Sequence, residues 1–387
     1  MDIRSIKMKI PRYRLVLVAV ATAALMFFLV QMGILPGKTQ RTPWPRGFEL
    51  VDMLMQLIRN DYLEERDPVQ TAEGAYRGIV NSLDPVSSYL NRDLTARSSA
   101  RGAGDTATGL VVFKRYGSFP QVVGIVPNSP AAKQDIKVGD LVSAIDHRAS
   151  LSMSLTEVEL LLGGTDEKPV HLKLLRGNDA HELDLPRARL FDKDYAFAPA
   201  AADRPAVLAV RAFTPGLPAA LRKDVLPALK ALKGPLVLDL RNLSGGDLEA
   251  AKALVNIFVK TDAAGSFEKK DGVKASVACP AAADLAGLTV VVWVNTGTIG
   301  PAEFAAGVLQ EVRKAKVVGL PTVGAVALTE RFPLGDGSSV ILVRGVYSLP
   351  SGRSLWGEGL KPDAAVTVED ETDKAFLAKT LPLLAKS

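Results

Sequence analysis

The chain of 387 residues holds a single cysteine, Cys279, and only three histidines, His147, His171 and His181. One thiol excludes an internal disulfide, and Cys279 stands in no metal-ligand spacing. It reads as a small core hydrophobe. The histidines fall in one stretch, far in sequence from the later catalytic-type segments. A histidine-based triad in the C-terminal part is therefore not expected. No metal or cofactor constellation is visible. Positive charge is scarce too, once it is located. Of the net +5, the first fourteen residues supply +4, through Arg4, Lys7, Lys9, Arg12 and Arg14 against Asp2. The rest is close to neutral, which excludes the basic footprint of a nucleic-acid binder. Repeats are lacking, and the only biased run is alanine-rich, at residues 197–202.

What is present begins with an apolar run, LVLVAVATAALMFFLVQMGIL at residues 15–35. A bilayer core needs roughly 20 apolar residues in a helix. The cationic flank comes first, so the positive-inside rule leaves the N-terminus in the cytoplasm and the body outside. A cleaved signal peptide is the alternative. Its apolar region is usually shorter, about 7–15 residues, and ends at a small-x-small site that this run lacks. Residues 38–46, with two prolines, read as a juxtamembrane linker. Helical spacing follows at 48–60 and 68–83, the second stopped by Leu83-Asp84-Pro85. Residues 97–108 are rich in Ser, Gly and Ala and read as a linker. Short strands then dominate to about residue 176, with an amphipathic helix at 155–162. From about residue 194, strands and helices alternate: strands at 207–210, 236–240 and 288–294, helices at 219–232, 248–259 and 302–312. That alternation means an α/β layer.

Four segments, in order, resemble the carboxyl-terminal processing peptidases, peptidase family S41. They are Ser82-Leu83-Asp84-Pro85-Val86-Ser87-Ser88-Tyr89-Leu90; the PDZ-like Asn128-Ser129-Pro130-Ala131-Ala132 with Ile136-Lys137-Val138-Gly139-Asp140; Leu238-Asp239-Leu240-Arg241-Asn242-Leu243-Ser244-Gly245-Gly246; and Pro350-Ser351-Gly352-Arg353-Ser354 through Gly359-Leu360-Lys361-Pro362-Asp363. The resemblance covers roughly residues 47–370. Together with the apolar run it gives an expected α/β fold in four parts: a tail and transmembrane helix at 1–36, a helical region at 47–100, a PDZ-like β-rich domain at 101–190 and a peptidase-like α/β domain at 191–387. A PDZ domain takes a peptide as an added strand and captures its terminal carboxylate with loop N–H groups. By the resemblance that loop is Thr108-Gly109-Leu110-Val111, with Val111 where the family usually has glycine.

The family works through a Ser-Lys dyad, in which a neutral lysine takes the serine's proton. Aligned on its Gly and Glu, the serine segment here reads Gly297-Thr298-Ile299-Gly300-Pro301-Ala302-Glu303, and the nucleophile position is Gly300. The lysine segment reads Thr322-Val323-Gly324-Ala325, and the base position is Ala325. A glutamine common four residues later is Thr329. The resemblance places the oxyanion turn at Gly245-Gly246, helped by the N–H after the serine. That residue is Pro301, which has none. Thr298 is the candidate for a relocated nucleophile.

These residues read as a membrane-anchored, catalytically inactive homologue with its body in the periplasm. It is expected to bind extended or C-terminal peptide segments of envelope proteins, alone or beside an active homologous peptidase. The alternatives are an active serine-type endopeptidase with rearranged catalytic residues, and a structural subunit.

Overall fold

The computed structural model describes residues 47–100, 106–164, 166–201, 204–281 and 283–384. The apolar run at 15–35 expected to anchor the chain lies outside the described residues. Among these, no helix is long and apolar enough to cross a membrane. The chain divides into two compact units, one to Ala72 and one from Glu73.

In the first unit the helix Gly47–Asp61 follows the apolar spacing. Leu50, Leu54 and Leu57 nevertheless stay exposed. The helix Pro68–Asn81, which starts in this unit and ends in the second, begins on proline, whose missing N–H costs nothing in a first turn. The Asp67 carboxylate accepts the Val69 N–H at 2.9 Å. The helix ends two residues short of the expected stop, where Asp84 takes over the backbone and accepts the N–H groups of Val86 (2.8 Å) and Ser87 (2.6 Å). Gly78, in its last turns, would meet no atom within 4 Å if it carried a Cβ. Glycine in a helix interior is less favourable than alanine by about 1 kcal/mol. Gly78→Ala is therefore expected to stabilise the protein by about 0.5–1 kcal/mol, read as a rise in urea midpoint.

In the second unit, an antiparallel sheet carries the strands Leu110–Phe113, Gln121–Ile125, Leu141–Ile145, Val170–Arg176 and Asp179–Leu185 in that order. The helix Leu155–Leu162 is capped by Ser154, whose hydroxyl accepts the Glu157 N–H. Its Val158, Leu161 and Leu162 enter the core of this sheet with Val112, Val122 and Leu172. A second sheet orders Tyr195–Ala198, Ala206–Val210, Leu236–Asp239, Val290–Val294, Lys316–Gly319 and Ala364–Ala365. Its first pair is antiparallel and the rest parallel. The parallel strands are continuous apolar runs because both faces are covered. Leu238 and Val292 face a core with Leu254 and Phe304, while Val237, Val291 and Trp293 face one with Phe376.

A third sheet has no counterpart in the sequence reading. The long strand Ser339–Ser348 pairs with Ser88–Leu90, with Ser266–Lys269 and with Ala327–Pro333. Two further expectations change. Residues 97–100 belong to the helix Arg92–Ala100, started by Asn91, which accepts the Leu94 N–H at 3.1 Å. The helix expected over 219–232 is two, Leu217–Asp224 and Leu226–Lys230. Pro227 lacks the N–H that would continue the ladder across Val225.

Candidate functional site

Two turns and one loop meet at the carboxyl ends of the parallel strands. The strand Leu236–Asp239 runs into the turn at Asn242–Gly246, and Val290–Val294 runs into the turn at Asn295–Gly300. The Ile299 N–H donates to the Leu243 carbonyl at 2.9 Å, so the two turns lie side by side. Gly245 and Gly246 both take positive φ, 69° and 101°. A Cβ on Gly246 would stand 2.7 Å from that of Phe213, which explains glycine there.

Gly300 ends the second turn at φ 68° and ψ −118° and caps the helix Pro301–Glu311. This is the sharp strand-to-helix corner on which hydrolases expose a nucleophile. An L-side chain is strained there, and glycine is not. A Cβ on Gly300 would meet nothing closer than the Ala325 carbonyl oxygen, at 3.8 Å. Pro301 occupies the first helical position and offers no N–H to a ligand at the corner.

The Glu303 carboxylate joins this corner to the loop that carries Ala325. It is fully buried. One oxygen accepts the N–H groups of Gly300 (2.9 Å) and Ala325 (2.8 Å). The other accepts the Gly324 N–H at 2.7 Å and a short bond from the Thr322 hydroxyl. Burial pushes this carboxyl above its ordinary value, and the four donors pull it back. Glutamate three residues after a helix cap is a sequence signal for such a brace. Its reach to the second loop is not, nor is Thr322.

The motif at 350–363 supports the same loop from below. The Leu360 N–H donates to the Thr322 hydroxyl (2.8 Å), and the Gly357 N–H to the Gly324 carbonyl (2.8 Å). Gly359 approaches Thr322 so closely that a Cβ would overlap the Thr322 carbonyl.

Thr298 has no exposed surface. Its hydroxyl donates to the Leu240 carbonyl and accepts the Asn295 N–H, both at 2.9 Å. Thr329 is exposed on the strand Ala327–Pro333, at a register shift from Leu328. The structure thus brings together Gly300, Ala325 and the Gly245-Gly246 turn, and leaves Thr329 outside.

The antiparallel sheet roofs this place. Ile299 and Ala325 are part of its apolar core, with Val111 and Val158. The Asn242 side-chain amide donates to the Ile125 carbonyl at 3.0 Å, and Gly124 lies so near that a Cβ would overlap Asn242. Asn242 is itself held by Asn295, whose amide donates to it (2.8 Å) and to Glu371 (2.8 Å). Burial pushes the Glu371 carboxyl up. Asn242 falls within the motif at 238–246, but its contact with Ile125 leaves no pattern in sequence, and Asn295 carries no sequence signal at all.

The expected capture loop lies at the start of the outer strand of that sheet. Gly109 takes φ 85° and admits no Cβ against Ser129. Thr108 is buried; its carbonyl accepts the Ala131 N–H (2.9 Å) and its hydroxyl the Leu110 N–H (3.3 Å). Val111 pairs with Gly124.

Residues 206–366 match the model of peptidase family S41, and residues 121–176 that of a PDZ domain. A probable CtpA-like serine protease of Staphylococcus haemolyticus is 25% identical over 319 residues, which are 82% of this chain and 64% of that protein. One of Staphylococcus aureus matches with the same identity and coverage. The chain thus spans less than two thirds of the length of these relatives, 64%. Among solved structures, a photosystem II D1 C-terminal processing protease superposes with a TM-score of 0.68 at 22% identity. The overlap covers 86% of this chain and 91% of that one.

Proposed function

Because the chain belongs to the carboxyl-terminal processing peptidase family, peptidase family S41, we propose that it is a pseudopeptidase: a member that binds peptide or protein C-termini in the cell envelope without cutting them. The observation that carries this reading is the shared Glu303 oxygen. It holds the N–H groups of Gly300 and Ala325 at 2.9 and 2.8 Å, so the two dyad positions sit together as the chemistry requires. Their side chains are a hydrogen and a methyl, neither of which attacks a carbonyl or takes a proton. Pro301 removes an oxyanion donor as well, a loss that typically costs roughly 10²–10³ in rate.

A relocated nucleophile at Thr298 finds no support. Its hydroxyl is buried and engaged with Leu240 and Asn295. The peptide segments are taken by the sheet that begins at Thr108–Val111, with an active homologous peptidase as a further partner. The apolar run at 15–35 anchors the chain by a single pass in the cytoplasmic membrane, with its body in the periplasm.

The test is incubation of the protein with an unstructured protein substrate, followed by mass spectrometry of the products. No cleavage is expected. Gly300→Ser/Pro301→Ala/Ala325→Lys runs beside it, and products from that variant alone would show a scaffold still competent for the chemistry. Products from the natural chain that disappear in Thr298→Ala would sink the proposal.

A further inference from the structure

A cavity of about 550 Å³ opens at the end of the outer strand Leu110–Phe113. One wall is the helix Pro68–Asn81, from Gly74 onward. The other is the turn after the outer strand and the start of the helix Leu155–Leu162. The cavity therefore lies at the opposite end of the strand–helix edge from Thr108 and Gly109.

Its lining is mostly cationic, with Arg77, Lys114 and Arg115 against Asp84. Lys114 is almost fully buried, and its ammonium donates to three carbonyls, those of Ser118 (2.6 Å), Ser150 (3.2 Å) and Leu151 (2.6 Å). Among the described residues no carboxylate forms an ion pair with it or with Arg115. Arg77 has a buried Nε without an acceptor, while its Nη2 stands 3.6 Å from the buried Glu157 carboxylate and 3.9 Å from that of Glu73. The single carboxylate in the lining is Asp84, whose oxygens are already taken by the Val86 and Ser87 N–H groups and the Ser87 hydroxyl.

The floor is open. Gly74 and Gly78 sit one turn apart, and a Cβ at either would meet no atom within 4 Å. Glycine is disfavoured in a helix interior, and no contact inside this chain demands it at these two places. Space of this kind admits a second backbone against the helix.

We infer that this cavity is a specificity pocket for acidic residues that lie four to five positions before the C-terminus of a bound peptide. The inference rests on the peptide-binding reading above. A peptide whose carboxylate is held at the start of the strand must run antiparallel to it, residue against residue. With the last residue beside Leu110, the fourth and fifth before it fall beside Lys114 and Arg115. Backbone pairing along the strand supplies affinity, and the pocket supplies selection by charge.

The test is fluorescence anisotropy with the full chain in detergent micelles and labelled octapeptides that end in a free carboxylate. They carry a Glu pair, an Ala pair or a Lys pair at the fourth and fifth positions before the end. The Glu peptide is expected to bind about 10-fold tighter than the Ala peptide, and the Lys peptide more weakly than either. Arg115→Glu should reverse the order of the Glu and Lys peptides, and Gly78→Leu, which fills the cavity, should abolish the preference. Both positions face solvent, and a thermal melt confirms that each variant is folded. Equal binding of all three peptides overturns the pocket and leaves peptide binding standing. No binding of any peptide overturns both.

Discussion

Glu303→Ala is expected to destabilise the protein by about 4 kcal/mol. It strands the buried N–H groups of Gly300, Gly324 and Ala325 and the Thr322 hydroxyl without an acceptor. Each unsatisfied buried donor costs about 1–3 kcal/mol, with partial relaxation. Glu303→Gln keeps one acceptor oxygen and should cost about half as much. Urea unfolding followed by circular dichroism measures both. A loss below about 1 kcal/mol for the alanine variant would show that the carboxylate does not hold the two loops. Burial raises this carboxyl's pKa in the folded state, so its contribution is full below the ordinary glutamate value and is lost as pH rises through the folded value. Glutamine has no such proton. The stability gap between the natural chain and Glu303→Gln should therefore narrow as pH rises.

Gly359→Ala is expected to cost about 3–5 kcal/mol, by a different route. Its backbone takes φ 68°, and the added Cβ would overlap the Thr322 carbonyl group, 2.7 Å from the carbon. Both partners are backbone, so neither side can swing away. Gly357 provides the control. It too has positive φ, 76°, but a Cβ there would meet nothing within 4 Å. Gly357→Ala should therefore cost only the conformational penalty, about 1–2 kcal/mol. Thermal melts of the two variants separate steric overlap from backbone preference. Equal losses would remove overlap as the cause.

The contrast also shows what could be read in the sequence. The glycines of the 350–363 motif, the Asp84 turn and the Gly245-Gly246 pair are local. Each is dictated by a backbone angle or an approach that only one residue type tolerates, so each left a motif. The apolar strands Leu236–Asp239 and Val290–Val294 were equally plain, because a run buried on both faces needs no partner to be recognised. The hairpin of Ala327–Pro333 with Ser339–Ser348 was not. Its residues are half exposed, with Glu330 and Arg331 facing solvent. The roof over Ala325 depends on Asn242 meeting Ile125 across 117 positions. Nothing periodic marks that encounter. The positions of Gly300 and Ala325 could be located by alignment, but their proximity needed the Glu303 carboxylate.

The corner at Gly300 carries an implication for descent. Any side-chain-bearing residue there holds a strained backbone, at a cost of order 1–3 kcal/mol. A lineage that exchanged its nucleophile for glycine would have gained that amount of folding stability at the step where it lost turnover. Return would require giving the stability back before any activity rewarded it, since Ala325 and Pro301 would each have to change as well. A site relaxed in this way would act as a ratchet: selection for stability alone would hold it shut.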